Sequence, residues 1–359
     1  MNPKAYISLL VGAVFSGIGL YLAFRNVPIG SLLEYVENVN YGWILPATVS
    51  LVLAYLVRAF RWQWLLMPAG RPRFTSAYHS LIISMMVNCL LPGRIGELVR
   101  PVVLKKLEDV PLAASLATLG VERLLDLATL LMLLLPTLTL MAPNADTVVA
   151  FGNHQLNRQL LIDLGHISLI ASFFLLFMVY ALGSDRIRSS LLAVLCRLPF
   201  FTNRIGLKKL SRAMEKVLFP LQGIVERGAK GVKAICHWKG FSVAMIASLV
   251  FWAFNALSFY FLSIASPDID LSYVDICGVM VIICFFIALP SVPGFWGLWE
   301  AAGVFALTFL GVAEDAAAGY SLFSHAFSII PVIVAGWLSC MTLGFHWRTL
   351  TPRESSDLG

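Results

Sequence analysis

The sequence predicts an all-α polytopic membrane protein, an inverted repeat with about six full spans plus two re-entrant broken-helix hairpins. Three observations predict this fold class. The 359 residues are 59% hydrophobic and 13% charged, whereas a soluble domain is roughly 45–50% apolar and about 25% charged. Several runs free of charge are about 20 residues long, which is the length that crosses a bilayer. Finally, two Pro-Gly breaks interrupt apolar runs at corresponding places in the two halves.

The first two spans are predicted at residues 6–24 and 41–66. We interpret the first as a retained span, because it is long for the apolar part of a signal peptide and no small-residue cleavage site follows it. The second ends in two arginines and two tryptophans: Arg58, Arg61, Trp62 and Trp64. Such residues are typical of a cytoplasmic interface, where charged ends reach the headgroups, and we favour that role over ligand binding for both arginines.

A broken hairpin follows, near residues 77–106. Its apolar arm is short for a crossing, Pro92-Gly93 ends it, and a second helix restarts near Ile95. Because basic residues flank both ends, we expect the hairpin to enter from the cytoplasm and to return there, although two tilted crossings remain an alternative. Irregular backbone at membrane depth requires surrounding protein or a water-filled cavity, so this tip should line a cavity.

The first half continues with a span at 112–141, a polar loop at 142–161 and a span at 162–182. Residues 184–239 then hold twelve Lys or Arg against three acids, which predicts a cytoplasmic segment. Within this segment, residues 207–225 have the apolar spacing of an interfacial amphipathic helix; a solvated linker helix is the alternative.

The second half repeats this order with a span at 241–264, a hairpin near 273–312 and a span at 317–345. The break at Pro290 to Gly294 and its glycine-glutamate continuation to Glu300 match the break that runs from Pro92 to Glu97. The charge distribution orients the halves oppositely. Inverted repeats with broken helices are the architecture of secondary transporters, whose substrate lies near the midplane.

The predicted organisation is therefore two membrane repeats with a basic segment between them. The repeats cover 1–182 and 240–346, the basic cytoplasmic segment covers 183–239, and a cytoplasmic tail covers 347–359.

Arg94, Glu97 and Arg100 lie at the start of the restarted helix. A helix start favours an anion, and an arginine fork matches a phosphate in a bidentate way. Glu97 could pair with Arg94 or Arg100 when no ligand is bound. The alternative is that these three residues only attach the hairpin to the protein.

A second group, Glu122, Arg123 and Asp126, shares one helix near the predicted midplane. Ionisable groups at that depth are costly and need partners, and we expect Arg94 and Arg100 to supply them. A direct ligand site and a purely structural salt-bridge cluster both fit this pattern.

The remaining candidates flank the two breaks. Asn88 precedes the first break and could cap backbone or bind a ligand, whereas Glu300 could take a proton or pair with a cation. Trp296 and Trp299 could flank an acyl chain, and His325 is interpreted as a packed helix-contact residue.

Motifs for nucleotide hydrolysis, zinc proteases and serine hydrolases are missing from the sequence, and no cofactor or metal is predicted. The six cysteines include no CxxC pair, so we interpret them mainly as small buried hydrophobic residues.

Four segments, AYLVRAFRW (54–62), NCLLPGRIGELVRP (88–101), VERLLDL (121–127) and VPGFWGLWEAA (292–302), resemble the flippase-like family, also called the lysylphosphatidylglycerol synthase transmembrane region. The resemblance implies a bacterial or archaeal protein that moves lipids. By motif position it implies these site residues: Arg94, Glu97, Arg100, Glu122, Arg123, Asp126 and Glu300. Multidomain relatives add lysine to phosphatidylglycerol with a soluble C-terminal domain; no such domain follows here, so aminoacyl transfer is not expected.

The leading functional hypothesis is a flippase for an anionic, phosphate-bearing lipid in the cytoplasmic membrane, with both termini cytoplasmic. The expected partners are membrane lipids, with a second copy of the chain and a cell-envelope enzyme as further candidates and no nucleic acid. Two alternatives remain open. One is an accessory protein for a glycosyltransferase or cell-envelope enzyme, and the other is a lipid-modifying enzyme that uses Glu122 and Asp126 as an acid/base pair.

Overall fold

The computed structural model describes residues 3–91, 94–140, 149–151, 154–156, 158–184 and 237–344, with isolated positions between 189 and 218. The predicted amphipathic helix at 207–225, the Pro92-Gly93 dipeptide and the tail at 347–359 lie outside these ranges.

The described part of the chain is helical apart from one small strand pair. The helices are α1 (Pro3–Phe24), α2 (Ile29–Asn38), α3 (Ile44–Leu66), α4 (Phe74–Leu90), α5 (Gly96–Leu107), α6 (Leu112–Leu140), α7 (Arg158–Gly183), α8 (Trp238–Ala265), α9 (Tyr273–Phe286), α10 (Leu298–Phe309) and α11 (Glu314–Thr342). Short 3-10 turns, Tyr41–Trp43 and Pro293–Phe295, precede α3 and α10. Strands β1 (Val149–Phe151) and β2 (His154–Leu156) pair antiparallel within the loop predicted at 142–161.

Four helical segments are long and apolar enough to cross a membrane: 41–66, 162–180, 238–265 and 314–342. The 29-residue α6 also has sufficient length, but it carries the three charged residues singled out in the sequence. These helices confirm the prediction of an all-α polytopic membrane protein.

The first predicted hairpin consists of α4 and α5, which pack antiparallel. At its base, Glu108 Oε1 accepts hydrogen bonds from Arg73 Nε (2.9 Å) and Ser76 Oγ (2.7 Å). At its tip, Gly96 lies so close to the Ser84 carbonyl that a β-carbon would not fit between them. The arms have 17 and 12 residues, or about 26 and 18 Å, so each is shorter than the roughly 30 Å hydrocarbon core.

The two halves make matching contacts. Helices α3 and α8 run antiparallel against each other, because Ser258 Oγ donates to the Ala47 carbonyl (3.0 Å) while Arg61 Nη1 donates to Ser248 Oγ (2.6 Å). Helix α4 packs on α11, and its counterpart α9 packs on α6, the counterpart of α11. The first hairpin therefore packs against the span that follows the second hairpin, and the second hairpin packs against the span that follows the first.

Helix α1 packs against the second hairpin tip through a face of small residues. Gly12 lies against the backbone of Ser291, and Gly19 lies against the carbonyl of Gly297. Between them, Ser16 Oγ accepts a hydrogen bond from the Val292 amide at 3.1 Å. Helix α7, which precedes α8 in the chain as α1 precedes α3, packs on α6 instead.

Helix α2 was not predicted from the sequence. Its buried Tyr35 donates a hydrogen bond to Ser266 and lies against Gly319, which fixes the helix across the ends of α8 and α11. Three apolar residues on its other side, Ile29, Leu33 and Val36, are exposed. Their four- and three-residue spacing was the available signal for this helix.

Candidate functional site

A cavity of about 350 Å³ lies between the first hairpin, α3, α6 and the second hairpin. Most of its wall is apolar or aromatic. The charged and amide side chains that line it are Arg58, Asn88, Arg94, Glu97, Arg100, Arg123, Asp126 and Asn255. The cavity therefore combines an apolar wall with a concentrated group of charges.

Glu122 lies at the centre of these charges and is fully buried. Four arginines from three helices approach its carboxylate: Arg100 Nη1 at 3.0 Å, Arg61 Nη2 at 3.2 Å, Arg58 Nε at 3.3 Å and Arg123 Nη2 at 3.4 Å. Glu122 thus ties α3 and α5 to α6.

Asp126 lies one turn further along α6 and shares three of these arginines. Its shortest ion pair is with Arg61 Nη1 at 2.7 Å, followed by Arg123 Nη2 at 3.5 Å and Arg58 Nη2 at 4.0 Å. Arg123 also reaches Glu97 on α5, at 3.8 Å. Arg123 and Asp126 are thus in contact at three-residue spacing on α6, whereas Glu97 pairs with Arg123 rather than with Arg94 or Arg100.

The cluster carries more positive than negative charge. The four arginines around Glu122 face three carboxylates, those of Glu97, Glu122 and Asp126. One positive charge is therefore uncompensated within the cluster, and Arg94 at the cavity wall adds another. Buried charge without a counterion is costly, so this arrangement favours the entry of an anion.

Arg100 presents an unoccupied edge. Its Cζ atom lies 3.8 Å from the centre of the Trp62 ring, and its Nη1 contacts both oxygens of Glu122. Its buried Nε and Nη2 atoms have no hydrogen-bond acceptor among the described residues. These two nitrogens form the edge of the guanidinium that binds a carboxylate or phosphate in a bidentate way.

The interpretation of Arg58, Arg61 and Trp62 as interface residues was wrong. Arg61 and Trp62 are fully buried, and Trp62 Nε1 donates to Thr118 Oγ1 of α6 at 3.1 Å. The hairpin and α6 cover this end of α3, so the arginines pair with α6 carboxylates instead of reaching headgroups. The complementary spacing was an available signal, because Arg58 and Arg61 are three apart and Glu122 and Asp126 are four apart.

The second tip is held by His325 of α11. Its Nδ1 lies 2.5 Å from Glu300 Oε1, and its Nε2 lies 2.7 Å from the Gly294 carbonyl. The rings of Trp296 and Trp299 lie 4.5 and 4.6 Å from the imidazole. His325 is thus an anchor for the tip rather than only a packed helix-contact residue, and both tryptophans contact it.

Glu300 serves the same anchor, because its Oε2 accepts the Gly297 amide hydrogen at 2.7 Å. Of the charged sequence candidates, it alone is neither a cavity-wall residue nor an ion partner of the arginine cluster. The glycine φ values of 74° at Gly294 and 90° at Gly297 let the backbone make this turn.

The two tips contact each other through Arg94. Its Nη2 donates to the Ile287 carbonyl at 2.7 Å, and its guanidinium lies 5.7 Å from the centre of the Phe295 ring. We expected Arg94 to pair with Glu122 or Asp126, but the start of α5 directs it toward the second hairpin. Asn88 lines the cavity, and its Oδ1 has no hydrogen-bond donor among the described residues.

Comparison with known proteins gives two relatives with curated names. Over 125 residues the chain is 24% identical to "Glycosyltransferase AglD" of Haloferax volcanii, which covers 34% of this chain and 20% of that protein. Over 131 residues it is 23% identical to "UPF0104 membrane protein MJ1595" of Methanocaldococcus jannaschii, which covers 36% of this chain and 38% of that protein. The chain thus matches well under half of either relative. No solved structure gives a significant match.

The family comparison covers far more of the molecule. The model of the lysylphosphatidylglycerol synthase transmembrane region matches residues 9–336, a range that includes both hairpins and the whole arginine–carboxylate cluster. The chain belongs to the lysylphosphatidylglycerol synthase transmembrane-region family.

Proposed function

We propose that this protein is a non-enzymatic lipid transporter that moves a phosphate-bearing anionic lipid across the cytoplasmic membrane. The headgroup binds in the cavity between the hairpin tips, and both chain termini face the cytoplasm. Membrane lipids are its principal partners.

The single observation that carries this proposal is the excess of positive charge around Arg100. An arginine whose bidentate edge has no acceptor among the described residues, in a cluster with more arginines than carboxylates, is suited to a phosphate. Trp62 holds the guanidinium plane from one side, so the edge is already oriented before an anion arrives.

The dimensions of the cavity support a lipid headgroup as the ligand. A volume of about 350 Å³ is at the small end of the range for ligand pockets, roughly 300–1,000 Å³. It accommodates a headgroup, while the hydrocarbon chains of the same molecule stay in the bilayer. The apolar wall suits the glycerol or prenyl portion next to the phosphate.

The arrangement of the helices supports movement across the membrane. The cavity lies where two half-length hairpins from opposite halves meet, which is the usual place of a transporter site. Rocking of the halves about the antiparallel α3–α8 contact would expose the cavity to one leaflet and then to the other.

The test is headgroup translocation in proteoliposomes, comparing fluorescent phosphatidylglycerol with fluorescent phosphatidylcholine. Arg100→Lys keeps the charge but removes the bidentate edge, and Arg73→Lys, at the exposed base of the hairpin, is the matched control. We expect the wild type to prefer the anionic lipid, Arg100→Lys to move it about tenfold more slowly, and Arg73→Lys to match the wild type. Equal rates for both lipids, or an unaffected Arg100→Lys protein, would contradict the proposal.

A second candidate is a membrane component that serves a glycosyltransferase, because one relative is named as a glycosyltransferase. Such a protein would bind a cell-envelope enzyme and would leave lipid distribution unchanged in vesicles. The acid/base alternative has less support, since Glu122 and Asp126 are both occupied by guanidinium groups. Product formation from purified protein and lipid would be its signature.

A further inference from the structure

One face of α6 is exposed between Leu116 and Leu127 and is apolar apart from one arginine. Leu116, Gly120, Arg123 and Leu127 follow one another at intervals of four, three and four residues, so they share this face. The two leucines are 37% and 39% exposed. In a membrane, such a face contacts lipid chains, and a charge in its middle is costly unless it serves a function.

The neighbouring arm α5 presents a similar face, with Leu98 and Val102 exposed. Between the two faces, Arg123 Nη1 lies 3.8 Å from Glu97 Oε1, and the two side chains are 37% and 30% exposed. In the other ion pairs of the described cluster, the carboxylate belongs to Glu122 or Asp126 and is nearly buried. The Glu97–Arg123 pair is therefore the most exposed ion pair of the described cluster, and Arg123 lies on the exposed face of α6.

There is free space on the same face of α6, at Gly120. Gly120 lies about one turn from Arg123, and a β-carbon built on it would meet nothing within 4 Å. Both Glu97 and Arg123 also line the cavity. An opening from the lipid face to the cavity would thus pass directly over this ion pair.

We propose that the gap between α5 and α6 at Glu97 and Arg123 is the lateral portal through which the lipid headgroup enters the cavity. This inference rests on the proposed function and adds the route of the substrate. The Glu97 carboxylate occupies the place on Arg123 that the phosphate takes on entry. The phosphate then replaces this carboxylate as the anionic partner of Arg123, so the arginine keeps a counterion during entry. The acyl or prenyl chains of the entering lipid then lie along Leu116 and Leu127.

The portal can be obstructed without changing any charge. Gly120→Leu places a bulky side chain in the free space, and Gly17→Leu is a matched control because Gly17 of α1 also has nothing within 4 Å of a built β-carbon. Both substitutions replace a helical glycine at an open position. We therefore expect both proteins to fold.

The first measurement is translocation of fluorescent phosphatidylglycerol by the three proteins. We expect Gly120→Leu to be slower by about tenfold, because the entry step is gated, and Gly17→Leu to equal the wild type. Binding of the free headgroup, glycerophosphoglycerol, should be the same in all three proteins, since this molecule has no acyl chains that must pass the portal. Equal translocation by the two leucine variants would refute the portal, and so would parallel loss of free headgroup binding, which would indicate a damaged cavity.

A second measurement separates the portal from the proposed transport. A photoactivatable group on the acyl chain of phosphatidylglycerol should label peptides from 112–130 in the wild type, and Gly120→Leu should label less. If the wild-type protein is labelled at α6 but moves no lipid, the proposed transport is contradicted, whereas the portal as the route by which lipid reaches the cavity is supported. Labelling that is absent from α6 would overturn the portal.

Discussion

The shortest ion pair of the cluster provides a quantitative test of how the arginines and carboxylates act together. Arg61 Nη1 and Asp126 Oδ1 are 2.7 Å apart, with Arg61 fully buried. Removing one member of a buried pair costs about 3–5 kcal/mol, because an uncompensated charge remains in the interior. Here each orphan retains weaker partners: Asp126 keeps Arg123 at 3.5 Å, and Arg61 keeps Glu122 at 3.2 Å. We therefore expect each single substitution to cost about 3 kcal/mol, the lower end of that range.

The experiment is a double-mutant cycle with Arg61→Met, Asp126→Leu and the combined protein. Removing both charges leaves neither orphan, so the free energy of unfolding of the combined protein should fall by at least about 1–2 kcal/mol less than the sum of the two single losses. The free energy of unfolding is measured by denaturant titration in detergent micelles. The pair Arg73–Glu108 is the control, because its arginine is 76% exposed although the ions are only 2.9 Å apart; its cycle should show a much smaller coupling.

Additive losses within about 0.5 kcal/mol, the usual scatter for independent sites, would refute the reasoning. That result would mean that Arg61 and Asp126 are stabilised by the rest of the cluster and not by each other. Equal coupling in the buried and exposed pairs would also contradict it, because burial would then have no effect.

Three further outcomes follow from the fold. Gly96→Ala should lower the thermal midpoint measured in micelles, because a β-carbon there collides with the α4 backbone, whereas Gly120→Ala should not lower it. His325→Phe should destabilise the protein by about 2–3 kcal/mol, since a buried carboxylate and a carbonyl lose their partner. The pKa of Glu108 lies below its ordinary value of 4.5, because Arg73 and then Ser76 hydrogen-bond its carboxylate. Its contribution to the hairpin base is therefore complete above that value and is lost as the pH falls through the lowered pKa, so amide hydrogen exchange at the base should accelerate there in the wild type but not in Glu108→Gln.

Local sequence features predicted where the helices begin and end better than they predicted which helices contact each other. The predicted bounds of α3, α6 and α8 agree with the structure to within about three residues, because apolar length and terminal charges determine where a span begins and ends. The start of α5 was equally accessible, since the Pro-Gly dipeptide ends one helix and the next begins at Gly96.

The composition of the site depended on contacts between distant segments, which spacing within one helix does not encode. Arg58 and Arg61 have the sequence signature of interface residues, and only the packing of α5 and α6 over the end of α3 makes them cluster members. His325 is similar, because a single histidine in an apolar span carries no sign of a carboxylate 25 residues earlier in the chain. Glu122 and Asp126 were identifiable because their own spacing and depth required partners.

The seating of α1 on the second tip makes the two repeats mechanically unequal. Gly12 and Gly19 bring the α1 backbone against the loop, and Ser16 is hydrogen-bonded to it, so α1 supports the second tip directly. On the described part of the first hairpin, α7 makes no equivalent contact, since it packs on α6. If the halves rock against each other, we expect the first hairpin to move more than the second, which α1 supports. The hydrogen bond from Arg94 to the Ile287 carbonyl joins the two tips, so it must break in each transport cycle.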